Sequence, residues 1–502
     1  MYFLREGMIF MKKLNLLGFD FGASSGRAML GVYDGKTVEL TEIHRFSNDP
    51  VMINGRFVWD VQRLFFEMKA GLVKCAKAGI KLDGIGIDTW GVDYGLLDQN
   101  GALLGVPVNY RDARTDGMME EAFKIMPKEE IFEKTGLAFM QFNTLYQLLA
   151  MKKMGDKTLD IADKMLFMPD LLAYFLTGEM GTEYTIASTS QLIDPHTRDW
   201  AWDIFEKFGL PTNILTGIQP AGTVRGVLLK QIADETGVGQ VPVIAVGSHD
   251  TASAVAAVPA KKDSKFAYIS SGTWSLLGAE LDKPLSDVAV MNANYTNEGG
   301  INGTTRLLKN IMGLWMINES KREWDRRSDA VDFPTLVKMA EKAPAFKAVI
   351  DVDDPRFLAP GNMPARIQEY CREKGQPVPE GRGEITRVIY ESLALKYRWA
   401  IERLEKDMLG YEIDVLHIVG GGSNNNMLNQ MTANAIRRPV VAGPSEGTVI
   451  GNLLVQAMAL GEIRDLPQLR EVVAASFENR TFLPEGDTAA WDEAYERLLA
   501  LN

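Results

Sequence analysis

Cysteine is nearly missing from this chain. The two it has, Cys75 and Cys371 in 502 residues, exclude a disulfide framework and a cysteine-based metal cluster. They fit reduced thiols in a cytoplasmic protein. Histidine is scarce too. His44, His196, His249 and His417 are all there are, and none stands at metal-ligand spacing from another. No stretch approaches the roughly 18 consecutive apolar residues of a helical membrane span. Positive charge is in deficit: 54 Lys and Arg face 66 Asp and Glu, for a net charge of −12. That balance argues against a nucleic-acid or anionic-membrane partner while leaving room for a local basic pocket. There is no G-x-S-x-G nucleophile elbow, no Walker sequence, and no G-x-G-x-x-G followed by a suitably spaced acid.

What remains is the composition of an ordinary globular enzyme, 46% apolar and 24% charged, with a length that suggests two large domains. The first residues, Met1 to Phe10, lack the apolar core and cleavage site of a secretion signal. Met11-Lys12-Lys13 looks like a natural start, so residues 1–10 are expected to be disordered and dispensable.

The organising stretch is Asn15 to Leu30. It reads as an apolar strand, a tight turn at Gly22-Ala23-Ser24-Ser25-Gly26, and a second apolar strand. Gly22 and Gly26 suit positive φ values and close backbone approach. Ser24, Ser25 and the turn's N–H groups are donors for phosphate oxygens. Arg27 adds a charge-assisted donor. Asp20, at the strand end, suggests a bridging Mg²⁺ held mostly through water. An ordinary hairpin is the plain alternative. Phe266 to Gly278 echoes the pattern half the chain later, again strand, turn (Ser271-Gly272-Thr273) and strand. Two halves that each open on such a hairpin suggest a duplicated domain with a nucleotide between them.

Further along, Lys36 to Phe46 alternates as a third strand. Asp60 caps a helix carrying Leu64, Met68, Leu72 and Cys75, which Gly79 ends. Ile85 to Ile87 and Val241 to Val246 read as buried strands, and Tyr94 to Leu97 as another turned by Asp98 to Gly101. Asn143–Met154, Pro169–Leu176, Glu384–Met408, Asn426–Ile436 and Thr448–Leu460 read as helices. The polar break at Lys261 to Ser264 marks the boundary, giving domains 1–258 and 259–502 of an α/β protein.

Three clusters carry candidate chemistry. Gly420-Gly421-Gly422-Ser423-Asn424-Asn425 lies between a strand and a helix. Its glycines let a base or phosphate reach the backbone, and Gly422 and Asn425 are candidate nucleotide contacts. Ile87-Asp88-Thr89-Trp90-Gly91-Val92-Asp93-Tyr94-Gly95 puts an indole, a glycine and two carboxylates at a buried strand end, as a carbohydrate site would; core tryptophan plus turn is the alternative. Tyr110-Arg111-Asp112 is either a solvated ion-pair run or a pocket wall. His249-Asp250 begins a helix whose N-terminus is expected to keep the carboxylate ionised.

Taken in order with Thr251-Ala252, Thr273-Trp274-Ser275 and Lys309-Asn310-Ile311-Met312-Gly313-Leu314-Trp315, these strings resemble the FGGY carbohydrate kinases, from about Leu14 to the C-terminal helices. The resemblance implies two actin-like (ribonuclease-H-like) domains with the active site in the cleft between them. It implies ATP-phosphate contacts at Ala23, Ser24, Ser25, Gly26, Arg27 and Thr273, and an adenosine contact at Gly421. Sugar contacts fall on Gly91, His249, Asp250, Thr251 and Asn310. Asn318 stands where the family pattern places a glutamine on ATP. The expected reaction is Mg·ATP-dependent phosphorylation of a ketose, with the C1 hydroxyl of L-rhamnulose as the leading acceptor and L-fuculose, D-xylulose or ribulose as alternatives. Asp250 is the expected general base, because it begins the helix where sugar and γ-phosphate should meet. A non-catalytic sensor on the same fold would be expected to lack Asp250 and to carry a DNA-binding appendage. A monomer or homodimer is expected.

Overall fold

The computed structural model describes residues 13–327, 330–486 and 488–501. The expectation about residues 1–10 lies outside them. The first half is built on a six-stranded sheet. Strands β1 (Leu14–Phe21), β2 (Ser25–Tyr33) and β3 (Val38–Ser47) run as an antiparallel meander. Helix α1 (Val61–Lys77) follows, capped by Asp60 as its sequence implies. Strand β4 (Gly84–Thr89) returns parallel to β1. β5 (Thr223–Val227) and β6 (Pro242–Ala245) complete the order β5-β6-β4-β1-β2-β3.

The second sheet repeats this plan. β7 (Phe266–Ser271) and β8 (Ser275–Leu281) form the opening hairpin. β9 (Thr296–Gly299) and β10 (Thr305–Ile311) extend it on one side. On the other side lie β11 (Val415–Val419), parallel to β7, then β12 (Val440–Ala442) and the antiparallel β13 (Arg480–Phe482). The order β9-β10-β8-β7-β11-β12-β13 matches the first sheet strand for strand, apart from the extra edge strand β9. The chain therefore has two α/β domains of one duplicated, ribonuclease-H-like layout.

Strand alternation explains how the first sheet is covered. Leu17, Phe19 and Phe21 face Leu64, Met68, Leu72 and Cys75 of α1. Leu14 and Leu16 face the other way, and a helix from the far end of the chain covers them. Four helices matter for this arrangement: α2 (Asp250–Ala256), α3 (Arg382–Arg403), α4 (Asn426–Ile436) and α5 (Gly447–Ala459). α5 lays Val449, Ile450, Leu453 and Leu454 on the back of the first sheet. Small residues let it settle there. A Cβ at Gly31 would meet Leu453 Cδ1 at 2.7 Å, and one at Gly451 would collide with the Ser253 carbonyl of α2. Helix α3 buries its apolar residues in the core of the second domain. Both cysteines are buried and free. Among the described residues no helix is long and apolar enough to cross a membrane.

Candidate active site

Three adjacent parallel chain segments end at the same place: β1 with Asp20, β4 with Asp88, and the segment after β6, which leads to His249 and Asp250. Asp20 and Asp88 are register partners, and Thr89 N–H donates to Ser248 O at 2.9 Å. The carboxyl ends of parallel strands are where open α/β sheets place ligands. Asp250 is the first residue of α2. Its side chain is 34% exposed, yet protein surrounds it. Burial raises its pKa above the ordinary aspartate value; the charge of Asp20 adds to the rise, while His249 and Thr251 oppose it. The sequence suggested that a helix N-terminus would hold this group ionised. α2 is only seven residues long, and burial is the largest influence on the carboxyl. Thr251 is turned onto Asp250, with its N–H 2.5 Å and its Oγ1 3.0 Å from Oδ1.

The first turn is tied down by Gly22 N–H to Ser25 O and by Asn48, whose Nδ2 donates to Gly22 O at 2.8 Å. Neither Gly22 nor Gly26 has a positive φ. Gly26 is needed for another reason, since a Cβ there would collide with the Phe46 ring. Arg27 does not stand free for a ligand. Its guanidinium bridges Asp20 at 2.5 Å and Glu446, just before α5, at 2.6 Å.

In the second domain, Ser271-Gly272-Thr273 and Gly420-Gly421-Gly422 stack on one another. Cβ atoms at Gly420 and Gly422 would collide with Ser271, whereas one at Gly421 would meet nothing within 4 Å. Gly420 has φ +87°, the left-handed conformation a glycine supplies. Asn425 spends its side-chain oxygen on capping α4, accepting from Leu428 N–H at 3.1 Å. Thr273 is exposed, and its carbonyl accepts from Trp315 N–H at 3.0 Å. Asn310 lies on β10 opposite Leu276. Asn318 lies on the helix Trp315–Arg326, half-buried.

Two residues expected at the sugar, Trp90 and Asp93, are both buried. Trp90 is packed on Trp59 with ring centroids 4.0 Å apart, and both indole N–H groups donate to Asp93 Oδ2, at 3.0 and 2.6 Å. Asp93 is fully buried and also accepts from Tyr110 N–H and Gln147 Nε2. These four donors make Asp93 an internal anchor. Gly91, half-buried, and Val92, buried, connect Trp90 to Asp93. Val92 has φ +68°, a costly conformation for a β-branched residue. Thr189 Oγ1 accepts its N–H at 3.0 Å and Thr144 Oγ1 donates to its carbonyl at 2.7 Å, which holds the strain in place. Of the Tyr110–Asp112 run, Asp112 braces its own loop through Phe57 N–H at 2.7 Å.

Sequence reasoning passed over Asn452, Glu298 and Arg306, and took Asp88 only as one of two carboxylates at the end of a buried strand. Asp88 is fully buried, accepts from Asn452 of α5 at 2.6 Å, and is held well above the usual carboxylate range by burial first and then by Asp20. Its register position beside Asp20 was readable only once the strand pairing was known. Among the described residues no group of three or more His, Cys, Asp or Glu side chains is placed to grip a metal ion. Asp20, paired to Arg27, is a carboxylate at these strand ends that could meet the water shell of a divalent ion.

A duplicated fold with Asp20, Asp88 and Asp250 gathered at the strand ends of its first sheet defines a class, and the comparisons agree. Residues 15–257 match the N-terminal domain, and residues 267–460 the C-terminal domain, of the FGGY family of carbohydrate kinases. The chain belongs to that family and is a carbohydrate kinase. It is 46% identical to a rhamnulokinase of Bacteroides thetaiotaomicron over 96% of this chain and 98% of that one. A rhamnulokinase of Halalkalibacterium halodurans is 44% identical over 93% of this chain and 98% of that one. The fold is shared with solved structures of a gluconate kinase from Lactobacillus acidophilus (TM-score 0.79, 17% identity, 98% of each chain) and a xylulose kinase from Rhodospirillum rubrum (TM-score 0.79, 18% identity, 97% of this chain and 98% of that one).

Proposed function

We infer that this kinase transfers the γ-phosphoryl group of ATP to the C1 hydroxyl of L-rhamnulose, giving L-rhamnulose 1-phosphate and ADP. The observation that carries this reading is the end-to-end likeness, at 42–46% identity, to curated rhamnulokinases. Nothing in the site favours L-fuculose, D-xylulose or ribulose.

In this reading Asp250 accepts the C1 hydroxyl proton as that oxygen bonds to the γ-phosphorus and the bond to the β–γ bridging oxygen breaks. Its raised pKa suits an acceptor that must hold a proton for a moment. Thr251 orients it. His249, Gly91 and Asn310 line the sugar. Trp90 and Asp93 support that wall from behind. Ala23 to Gly26, Gly272 and Thr273 face the phosphates, while Arg27 shapes the turn through Asp20 and Glu446. Gly421, Gly422, Asn425 and Asn318 lie toward the nucleoside end, where the open space over Gly421 leaves room for a flat base. Asp20 would meet the water shell of the Mg²⁺ that neutralises the phosphate charge of ATP. The domains divide at 258/259, ahead of the second hairpin. The negative net charge supports small-molecule partners rather than nucleic acid, in a cytoplasmic monomer or homodimer.

Incubation with Mg·ATP and L-rhamnulose is expected to give one phosphomonoester whose ³¹P resonance couples to the two C1 protons. A phosphate coupled to another carbon's proton, or ATP hydrolysis with no sugar phosphate, overturns the assignment.

A further inference from the structure

The two nitrogens of the His249 ring look in opposite directions. Nε2 is on the cleft side, 3.4 Å from Asp250 Oδ1. Nδ1 looks into the second domain, where Arg306 of β10 and Glu298 of β9 meet it. Arg306 Nη2 is 3.1 Å from Nδ1, and Glu298 Oε2 is 3.2 Å from it. The same Nη2 donates to Glu298 Oε2 at 3.0 Å, and Arg306 Nε donates to Gly299 O at 2.8 Å. Arg306 is fully buried and Glu298 nearly so. The backbone N–H of His249 is held by Thr185 Oγ1 at 3.2 Å. Asp250, Glu298 and Arg306 are the charged groups that face the ring.

A guanidinium keeps all its protons and can only donate. Nδ1 lies between that donor at 3.1 Å and a carboxylate oxygen at 3.2 Å that can only accept, but Glu298 Oε2 already takes an Nη2 proton at 3.0 Å, so the guanidinium contact favours a lone pair on Nδ1. The position of the other ring proton follows from that bond. We propose that Arg306, anchored by Glu298 and the Gly299 carbonyl, locks His249 in the Nε2–H tautomer. The histidine is then a donor alone on the sugar side, and Asp250 is the sole acceptor for the hydroxyl proton. Arg306 and Glu298 are positioning residues, reaching from the second domain to set the chemistry of a residue on the first. The effect on the sugar rests on the reading of His249 as a sugar contact. The tautomer does not, and it can be measured without substrate.

The chain has only four histidines, so ¹⁵N-histidine labelling gives a resolvable spectrum, and His249→Gln assigns the ring. Long-range ¹H–¹⁵N correlation of the wild type is expected to show Nε2 protonated and Nδ1 bare, with or without L-rhamnulose. A proton on Nδ1, donated to Glu298, overturns the proposal, and this result needs no variant to fold. In Arg306→Met, Glu298 is left facing the ring and should draw the proton to Nδ1. The KM for L-rhamnulose should then rise about tenfold, the loss of one hydrogen bond, with the KM for ATP unmoved. An Arg306→Met ring that stays Nε2–H overturns the proposal. Glu298→Gln leaves Arg306 in place and is expected to keep the Nε2–H tautomer; a switch to Nδ1–H in that variant would also overturn it. If the tautomers behave as stated and only the KM of L-rhamnulose fails to respond, the sugar contact is wrong and the lock stands.

Discussion

Asp250→Asn is expected to lower kcat by about 10²–10⁴-fold, the usual loss when a positioned base is removed, with the KM for ATP almost unchanged. The amide keeps the shape of the carboxylate and can still accept from Thr251, whose N–H and hydroxyl both converge on Oδ1. What it cannot do is take a proton. Three carboxylates meet at this end of the cleft, and the structure separates them. Asp20 is tied to Arg27 and Asp88 is sealed from solvent, which leaves Asp250 as the one with an open face. Single-turnover kinetics isolate the chemical step. A variant retaining more than about a tenth of wild-type kcat, far above the expected residue of activity, would remove Asp250 from the role.

The second large effect is on stability. Burial pushes Asp93 up to about 6, from 3.8 in the open chain, against the pull of Trp59, Trp90, Gln147 and Tyr110. Between about pH 4 and 6 the folded protein therefore binds more protons at this site than the unfolded chain, and stability falls as pH rises through that window. A rise of this size corresponds to roughly 3 kcal/mol. Asp93→Asn keeps an acceptor for the two indoles and carries no charge to desolvate. Urea unfolding at pH 4 and pH 7 should show the difference between wild type and variant shifting by that amount, in favour of the variant at pH 7. Asp170, also raised by burial, to about 7, contributes equally to both proteins and cancels. Parallel pH curves would mean that Asp93 titrates as an exposed aspartate does.

Much of the first domain was legible because its signals are local. The strand, turn and strand read over Asn15 to Leu30, the Asp60 cap and the Gly79 stop correspond to elements found where they were expected. The duplication was visible only in its two hairpins. The rest of the matching strand order depends on pairings between distant segments that leave no mark on either strand. Helix α5 was legible as a helix, but not its seat under the first sheet, nor the Arg27–Glu446 bridge that spans 419 positions. At the site, an indole beside a glycine reads the same whether it stacks on a sugar or on another indole, and Trp59 decided that for Trp90. Glycine was read as conformational freedom at Gly22 and Gly26, whereas Gly26 answers to the bulk of Phe46. The burial that raises Asp250 was not legible, since the depth of the site is not written in the local sequence.

The most direct test of the central claim is kcat/KM, measured by ADP release with saturating Mg·ATP, for L-rhamnulose, L-fuculose, D-xylulose and D-ribulose side by side. A polar pocket penalises a misplaced hydroxyl strongly, because its buried partners are left unpaired. L-rhamnulose is expected to give the highest value of the four. A higher value for any of the other three would contradict the assignment, while leaving the carbohydrate kinase and its cleft in place.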